Sequence, residues 1–327
     1  MSTALVTGGA GFIGRHLVRQ LHARGTTVRV LDPAASPRLF PAGVDAREGS
    51  ILDDRALAAA MQGVETVYHL AAIAHLWRRN RDDFERVNHQ GTRLVLDAAR
   101  RAGAARVIVT SSEVILRGWD EASDVPLRED APSPPLAAMA GPYSRSKHRA
   151  DKAARDAGAI SLYPTVPVGP GDDAMTAPTA MLALFARRPP PAYLATTLNL
   201  VPVEDVAAAH ILAAEKARAG ERFLIGGEDW PMARLLDFLA RHLGRPMPRR
   251  QIPYSLARLS AGVAQGMARF TKRAPVATVE GVRLAKHGWR VESDKARAAL
   301  GWTAGPVAEA LLRALAWLEG EGKPLQP

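Results

Sequence analysis

The segment Thr7-Gly8-Gly9-Ala10-Gly11-Phe12-Ile13-Gly14 constrains this chain more than any other, because of what flanks it. Ala4–Thr7 reads as a short apolar strand, and Phe12–Arg24 carries the period of a helix. Glycines at a strand-to-helix turn let the backbone bend sharply and approach a pyrophosphate. The helix start then offers that group unpaired N–H donors and a positive dipole end. Gly8 and Gly11 suit the turn and the close approach, Phe12 and Ile13 fall in the first helical turn, and Gly14 suits packing of helix on sheet. A second strand, Val28–Asp32, ends in a carboxylate, where a dinucleotide fold receives the adenosine ribose. A carboxylate repels a 2′-phosphate, so Asp32 favours NAD over NADP, while the nearby Arg38 works against that preference. The alternative for Asp32 is a turn residue before Pro33.

The alternation continues. Thr66–Leu70 and Arg106–Thr110 read as strands around a long helix over Phe84–Arg101. Gly141-Pro142 opens a helix to about Asp156, and Ile160–Tyr163 closes the series as a strand. Strands alternating with helices imply βαβ units and a parallel sheet covered on both faces. The expected class is therefore α/β: a Rossmann-type doubly wound parallel sheet over residues 1–163, with a smaller, mostly helical C-terminal substrate lobe over 164–327. Residues 199–217 are expected to return to the first domain. At roughly 100–200 residues per domain, a chain of 327 fits two.

Composition narrows the chemistry. Cysteine is absent, which excludes disulfides, thiolate-bound zinc, iron–sulfur clusters and thiol nucleophiles. The nine histidines are dispersed with no HExxH pair, so no metal is expected. The formal charge is +10, which suits nucleic acid, an anionic membrane, a phosphate-bearing ligand or simply solvated basic faces. Arg78-Arg79 with Arg81, and Arg249-Arg250, are too short to form a basic stripe, so no nucleic-acid partner is expected. The opening Met1–Val6 has no basic region leading into a long apolar one, and no run approaches about 18 apolar residues, so a cytoplasmic protein is expected.

Tyr143-Ser144-Arg145-Ser146-Lys147 places a phenol and an amine four residues apart, on one face of a helix. A phenol titrates near 10, too high for proton transfer at neutral pH, and an ammonium one turn away lowers that value. Ser111-Ser112 ends the preceding strand, where a hydroxyl can hold the oxygen that Tyr143 protonates or deprotonates.

Together these residues resemble the extended short-chain dehydrogenase/reductase superfamily, over nearly the whole chain. Further matches are His69-Leu70-Ala71-Ala72, Val87-Asn88-His89-Gln90-Gly91-Thr92, Thr110-Ser111-Ser112, Gly169-Pro170-Gly171-Asp172, Val203-Glu204-Asp205-Val206-Ala207 and Leu300-Gly301-Trp302. The resemblance implies Ser112, Tyr143 and Lys147 as catalytic residues. It implies Leu70, Ala71, Ala72, Asn88, Thr110, Tyr143, Lys147 and Tyr163 beside the cofactor, and Ser50 and Ile51 near its adenine. Ser50 stands where the family usually has aspartate, which puts the adenine-edge contact in doubt, and Tyr163 stands where arginine or asparagine is common. The stretch from Pro164 through Gly227 is similar to hopanoid-associated sugar epimerases, themselves similar to dihydroflavonol reductases and 3β-hydroxysteroid dehydrogenases. The implied activity is hydride transfer between NAD and a secondary alcohol or ketone of a hydrophobic ring or lipid-like small molecule. The alternative is a nucleotide-sugar epimerase or dehydratase with tightly held, internally regenerated NAD. A homodimer is implied in either case.

Two features beyond the motifs bear on the substrate. Trp77, Trp119, Leu136, Met139, Tyr163, Tyr193 and Leu194 fall in segments expected to border the pocket, or else to form core under long loops. Leu256, Leu259, Val263, Met267 and Phe270 recur at spacings of three and four among Arg258, Arg269, Lys272 and Arg273. Such a stripe reads as core, as a dimer contact or as a peripheral membrane contact.

Overall fold

The computed structural model describes residues 3–122, 124–271 and 273–320, with every side chain among them except that of Arg269. Its first half alternates as expected. Strands β1 (Thr3–Thr7), β2 (Thr27–Asp32), β3 (Asp45–Glu48), β4 (Thr66–His69), β5 (Arg106–Thr110) and β6 (Ile160–Pro164) are joined by helices. These are α1 (Phe12–Ala23), α2 (Asp54–Met61), the single turn α3 (Asp82–Phe84), α4 (Gly91–Ala102) and α5 (Pro142–Asp156). A π-helical turn, Glu85–Gln90, leads into α4.

The remaining elements are β7 (Val166–Val168), α6 (Ala177–Arg187), β8 (Ala192–Tyr193), β9 (Thr197–Pro202), α7 (Val203–Lys216), β10 (Arg222–Ile225), β11 (Glu228–Pro231), α8 (Met232–Leu243), β12 (Arg250–Gln251), α9 (Tyr254–Thr271), α10 (Val279–Leu284) and α11 (Val307–Gly320). Seven strands form one parallel sheet in the order β10-β6-β5-β4-β1-β2-β3. Two of them escape the sequence pattern. β3 is the polar Asp45-Ala-Arg-Glu48, and β10 enters beside β6 from some sixty residues downstream.

Pleating explains the two layers of helices. Ala4 and Val6 of β1 face the layer built from α1 and α7, while Leu5 faces α2 and α4. β4 divides in the same way between Tyr68 and Val67. Both faces are therefore apolar, as a buried parallel sheet requires. β11, β9 and β7 form a second, three-stranded sheet, with a separate core of Leu182, Phe185, Trp230, Leu235, Leu239 and Leu311 among others. Strand order reverses between β1 and β4, so the crevice for a ligand opens beyond the C-terminal ends of those strands.

Candidate active site

A cavity of about 1390 Å³ starts at this crevice and continues into the C-terminal lobe. Its floor is bare backbone. Gly8 has φ +73°, and a Cβ there would lie 2.5 Å from the Ala71 amide nitrogen. A Cβ on Gly14 would lie 2.3 Å from the Gly8 carbonyl oxygen. The first turn of α1 opens on the same cavity through Gly11, Phe12 and Ile13. Asp32 braces the loop: its carboxylate accepts from the amides of Ala10 (3.2 Å) and Ala34 (2.8 Å). Ser50, Ile51, Leu70, Ala71, Ala72 and Thr110 also line the wall. The Ser50 hydroxyl accepts from the Leu52 amide at 3.1 Å. Arg38 is exposed and stands outside the lining, where Leu39 takes the wall position. This cradle fits a dinucleotide, since it offers amide donors where any side chain would obstruct.

Ser112, Tyr143 and Lys147 all line the cavity. The Lys147 ammonium donates to the Thr110 carbonyl at 2.6 Å, and burial lowers its pKa to about 8. Burial raises the pKa of Tyr143, and a hydrogen bond with Ser112 opposes the rise. The carboxylates of Glu113 and Glu280 raise it further. The sequence leads one to expect the opposite direction, from Lys147. Burial is the largest cause of the rise, and the phenol keeps its proton across the neutral range. Phe84 meets the Tyr143 ring edge to face, with centroids 6.5 Å apart.

Two supporting groups were not visible in the motifs. The Ser112 hydroxyl donates to Glu113 at 2.9 Å, and burial pushes the Glu113 carboxyl up to about 7. Glu280 of α10 caps the helix that carries Tyr143. Its carboxylate accepts from the amides of Tyr143 (3.1 Å) and Ser144 (2.7 Å), and from the Ser144 hydroxyl (2.9 Å). An anion at a helix start satisfies donors that the helix cannot pair internally.

Burial of Glu113 makes stability depend on pH. Below the ordinary value of 4.5 the carboxyl is protonated in both folded and unfolded chains, and there is no penalty. Between 4.5 and about 7 the unfolded chain ionises first, so stability is lost as pH rises. Glu113→Gln is expected to melt progressively higher than wild type as pH is raised through this window, with the gap levelling off above it. Parallel melting curves at every pH would refute the buried acid.

Two expectations need correction, and a third set of residues divides between the alternatives left open. Tyr163 does not touch the cavity. It is fully buried with Ile115, Leu116, Leu127, Met139 and Leu224, because the pleat of β6 turns it away from Leu162, and Pro164 lines the wall instead. Asn88 is also behind the wall. It accepts from the Ile73 amide (2.7 Å) and donates to the Ile73 carbonyl (3.1 Å) and to Ser146 (2.9 Å). Its effect reaches the cavity through Ile73, and through Ser146, which donates to the Tyr143 carbonyl at 2.7 Å. Of the loop residues expected at the pocket, Tyr193 and Leu194 line it, whereas Trp77, Trp119, Leu136 and Met139 do not. Trp119 lies under the Arg283 guanidinium instead, 4.7 Å from ring to charge.

Two buried histidines brace the strand ends behind the site. Thr92 donates to the Asn88 carbonyl, so it accepts from His69 Nε2, and His69 Nδ1 in turn accepts from Thr7. Burial lowers the His69 pKa to about 3 and the His210 pKa to about 4, which keeps both rings neutral. His210 donates from Nδ1 to the Val206 carbonyl and accepts from Thr110 at Nε2.

Comparisons with known proteins agree with this architecture. The model of the NAD dependent epimerase/dehydratase family matches residues 4–226. The chain is 32% identical over 330 residues to a Synechocystis sp. protein named for dihydroflavonol 4-reductase activity, covering 97% of this chain and 94% of that one. It is 31% identical to sterol demethylase protein B of Methylococcus capsulatus, covering 98% and 99%. Among solved structures, gox2253 superposes with a TM-score of 0.83 at 31% identity, covering 98% and 99%. The chain belongs to the NAD dependent epimerase/dehydratase family and is an enzyme of the extended short-chain dehydrogenase/reductase type.

Proposed function

We propose that this enzyme transfers a hydride between NAD(H) and a ring or chain carbon bearing a secondary alcohol or ketone, on a predominantly apolar substrate. One observation carries the substrate class. Past Pro164 no Lys or Arg is among the described residues on the cavity wall, while Met181, Leu184, Phe185, Leu194, Ile252 and Leu284 are. A nucleotide sugar would bring a diphosphate into this half, where that stretch of wall offers it no cation among the described residues. An apolar ring finds a surface from which it displaces water.

The dinucleotide, when bound, supplies the hydride or accepts it. Tyr143 gives its proton to the substrate oxygen in reduction and takes it back in oxidation. Ser112 orients that oxygen, and Glu113 in turn fixes the Ser112 hydroxyl. Lys147, held by Thr110, would bind the nicotinamide ribose. A panel of apolar cyclic ketones with NADH tests this: steady oxidation of NADH is expected. Epimerisation of a UDP-sugar with no net consumption of NADH would replace this reading by the sugar-nucleotide one.

Asp32 gives the preference for NAD over NADP. A 2′-phosphate would meet its carboxylate, at a cost of about 1 kcal/mol or more near a protein surface. Asp32→Ser is expected to raise kcat/KM for NADPH relative to NADH by about tenfold. An unchanged ratio would remove Asp32 as the selecting group.

A further inference from the structure

Helix α9 is built inside out. Its small residues Ala257, Ala261 and Ala268 are buried, the first two packing with Val282 of α10. Its large apolar residues, Leu256, Leu259, Val263, Met267 and Phe270, are 53–87% exposed. They recur at spacings of three and four and therefore form one stripe along the helix. The sequence left core as one reading of this stripe, and the exposures exclude it. A helix that buries alanine and shows leucine and phenylalanine to solvent has a partner for its outer side.

Two observations identify that partner. The first is charge. Between Asp237 and Glu280 the chain carries eight Lys and Arg residues and no Asp or Glu. Arg249, Arg250, Arg258 and Arg273 are exposed there, whereas Lys272 and the Arg269 side chain lie outside the described residues. The second is position. Val276, just beyond α9, is 84% exposed and also lines the cavity, as do Ile252 before the helix and Ala277 and Leu284 after it. Residues just before and just after the stripe thus line the cavity.

We infer that α9 docks on an anionic lipid bilayer. The stripe enters the boundary between headgroups and acyl chains, the arginines meet lipid phosphates, and the cavity mouth at Val276 faces the lipid. A second copy of the chain suits the face poorly. A two-fold contact sets the same patch against itself, and here it would bring together two helices that carry arginine and no carboxylate. No described helix is long and apolar enough to cross a membrane, so the contact is one of lying on the surface. Docking accords with an apolar substrate but is read without turnover, so either can fail alone.

The test is co-sedimentation with vesicles. Wild type is expected to bind vesicles of mixed phosphatidylcholine and phosphatidylglycerol at low salt, and to bind pure phosphatidylcholine much less. Leu259→Ser, Val263→Ser and Phe270→Ser combined are expected to weaken binding by about tenfold or more, with melting temperature and NADH binding unchanged. Arg258→Gln and Arg273→Gln are each expected to weaken it about fivefold. Three results would overturn the inference: no wild-type binding to the anionic vesicles, undiminished binding by the serine variant, or a serine variant that alters only the oligomeric state.

Discussion

Tyr143→Phe is expected to lower kcat by a factor of about 10²–10⁴ while NADH binding and the melting temperature stay at wild-type values. The substitution removes one oxygen. The ring remains, with its edge-to-face contact to Phe84, and so does the backbone of α5 held by Glu280. Ser112 retains Glu113 as an acceptor, so its hydroxyl is not left unpaired. What is lost is the proton that neutralises the substrate oxygen, and no neighbour replaces it. Glu113 bonds Ser112, and Lys147 bonds the Thr110 carbonyl. Single-turnover absorbance at the nicotinamide band, beside fluorescence titration with NADH, separates the two effects. A variant that turns over normally would remove Tyr143 from the chemistry. One that no longer binds NADH would make its role structural.

Gly8→Ala is expected to abolish dinucleotide binding and to destabilise the fold by about 3 kcal/mol or more. Two costs combine. The backbone sits at φ +73°, where a Cβ is strained, and that Cβ would lie 2.5 Å from one backbone atom of Ala71 and 2.7 Å from another. The obstruction is main chain at the end of β4, so no side chain can swing aside. Relief requires β1 and β4 to part at their ends, which is where the phosphates would be received. Gly25→Ala is the control, because its φ is +76° and nothing lies within 4 Å of the added carbon. That variant is expected to show only the conformational cost and to bind NADH normally. Equal loss in both would mean that backbone strain, rather than crowding at the crevice, sets the requirement for Gly8.

These expectations rest on features with different origins in the sequence. Gly8–Gly14, Asp32 and the Tyr143/Lys147 pair were legible because each signal is local: a turn between strand and helix, a strand end, or one helical turn. Glu280 was not, since it lies 137 residues from Tyr143 and meets it only when the C-terminal lobe closes over α5. Glu113 is adjacent to Ser112, but a charged residue after a strand reads as solvated until tertiary burial raises its pKa. Tyr163 failed for a simpler reason. At the end of a buried strand, one residue of register decides between cavity and core, and apolar flanks do not reveal which. The stripe on α9 kept its periodicity but not its direction, because spacing identifies a face without saying whether anything covers it.

The most direct measurement is the fate of a deuterium label. NADH carrying deuterium at C4 of the nicotinamide is supplied with a cyclic apolar ketone, and the product is analysed by mass spectrometry. The expected result is one deuterium on the carbinol carbon of each alcohol formed from the labelled face, with one NADH consumed, and labelled alcohol formed about 10²–10⁴ times more slowly with Tyr143→Phe. No label in any alcohol product, together with epimerisation of a nucleotide sugar at constant NADH, would contradict hydride transfer to an apolar ketone.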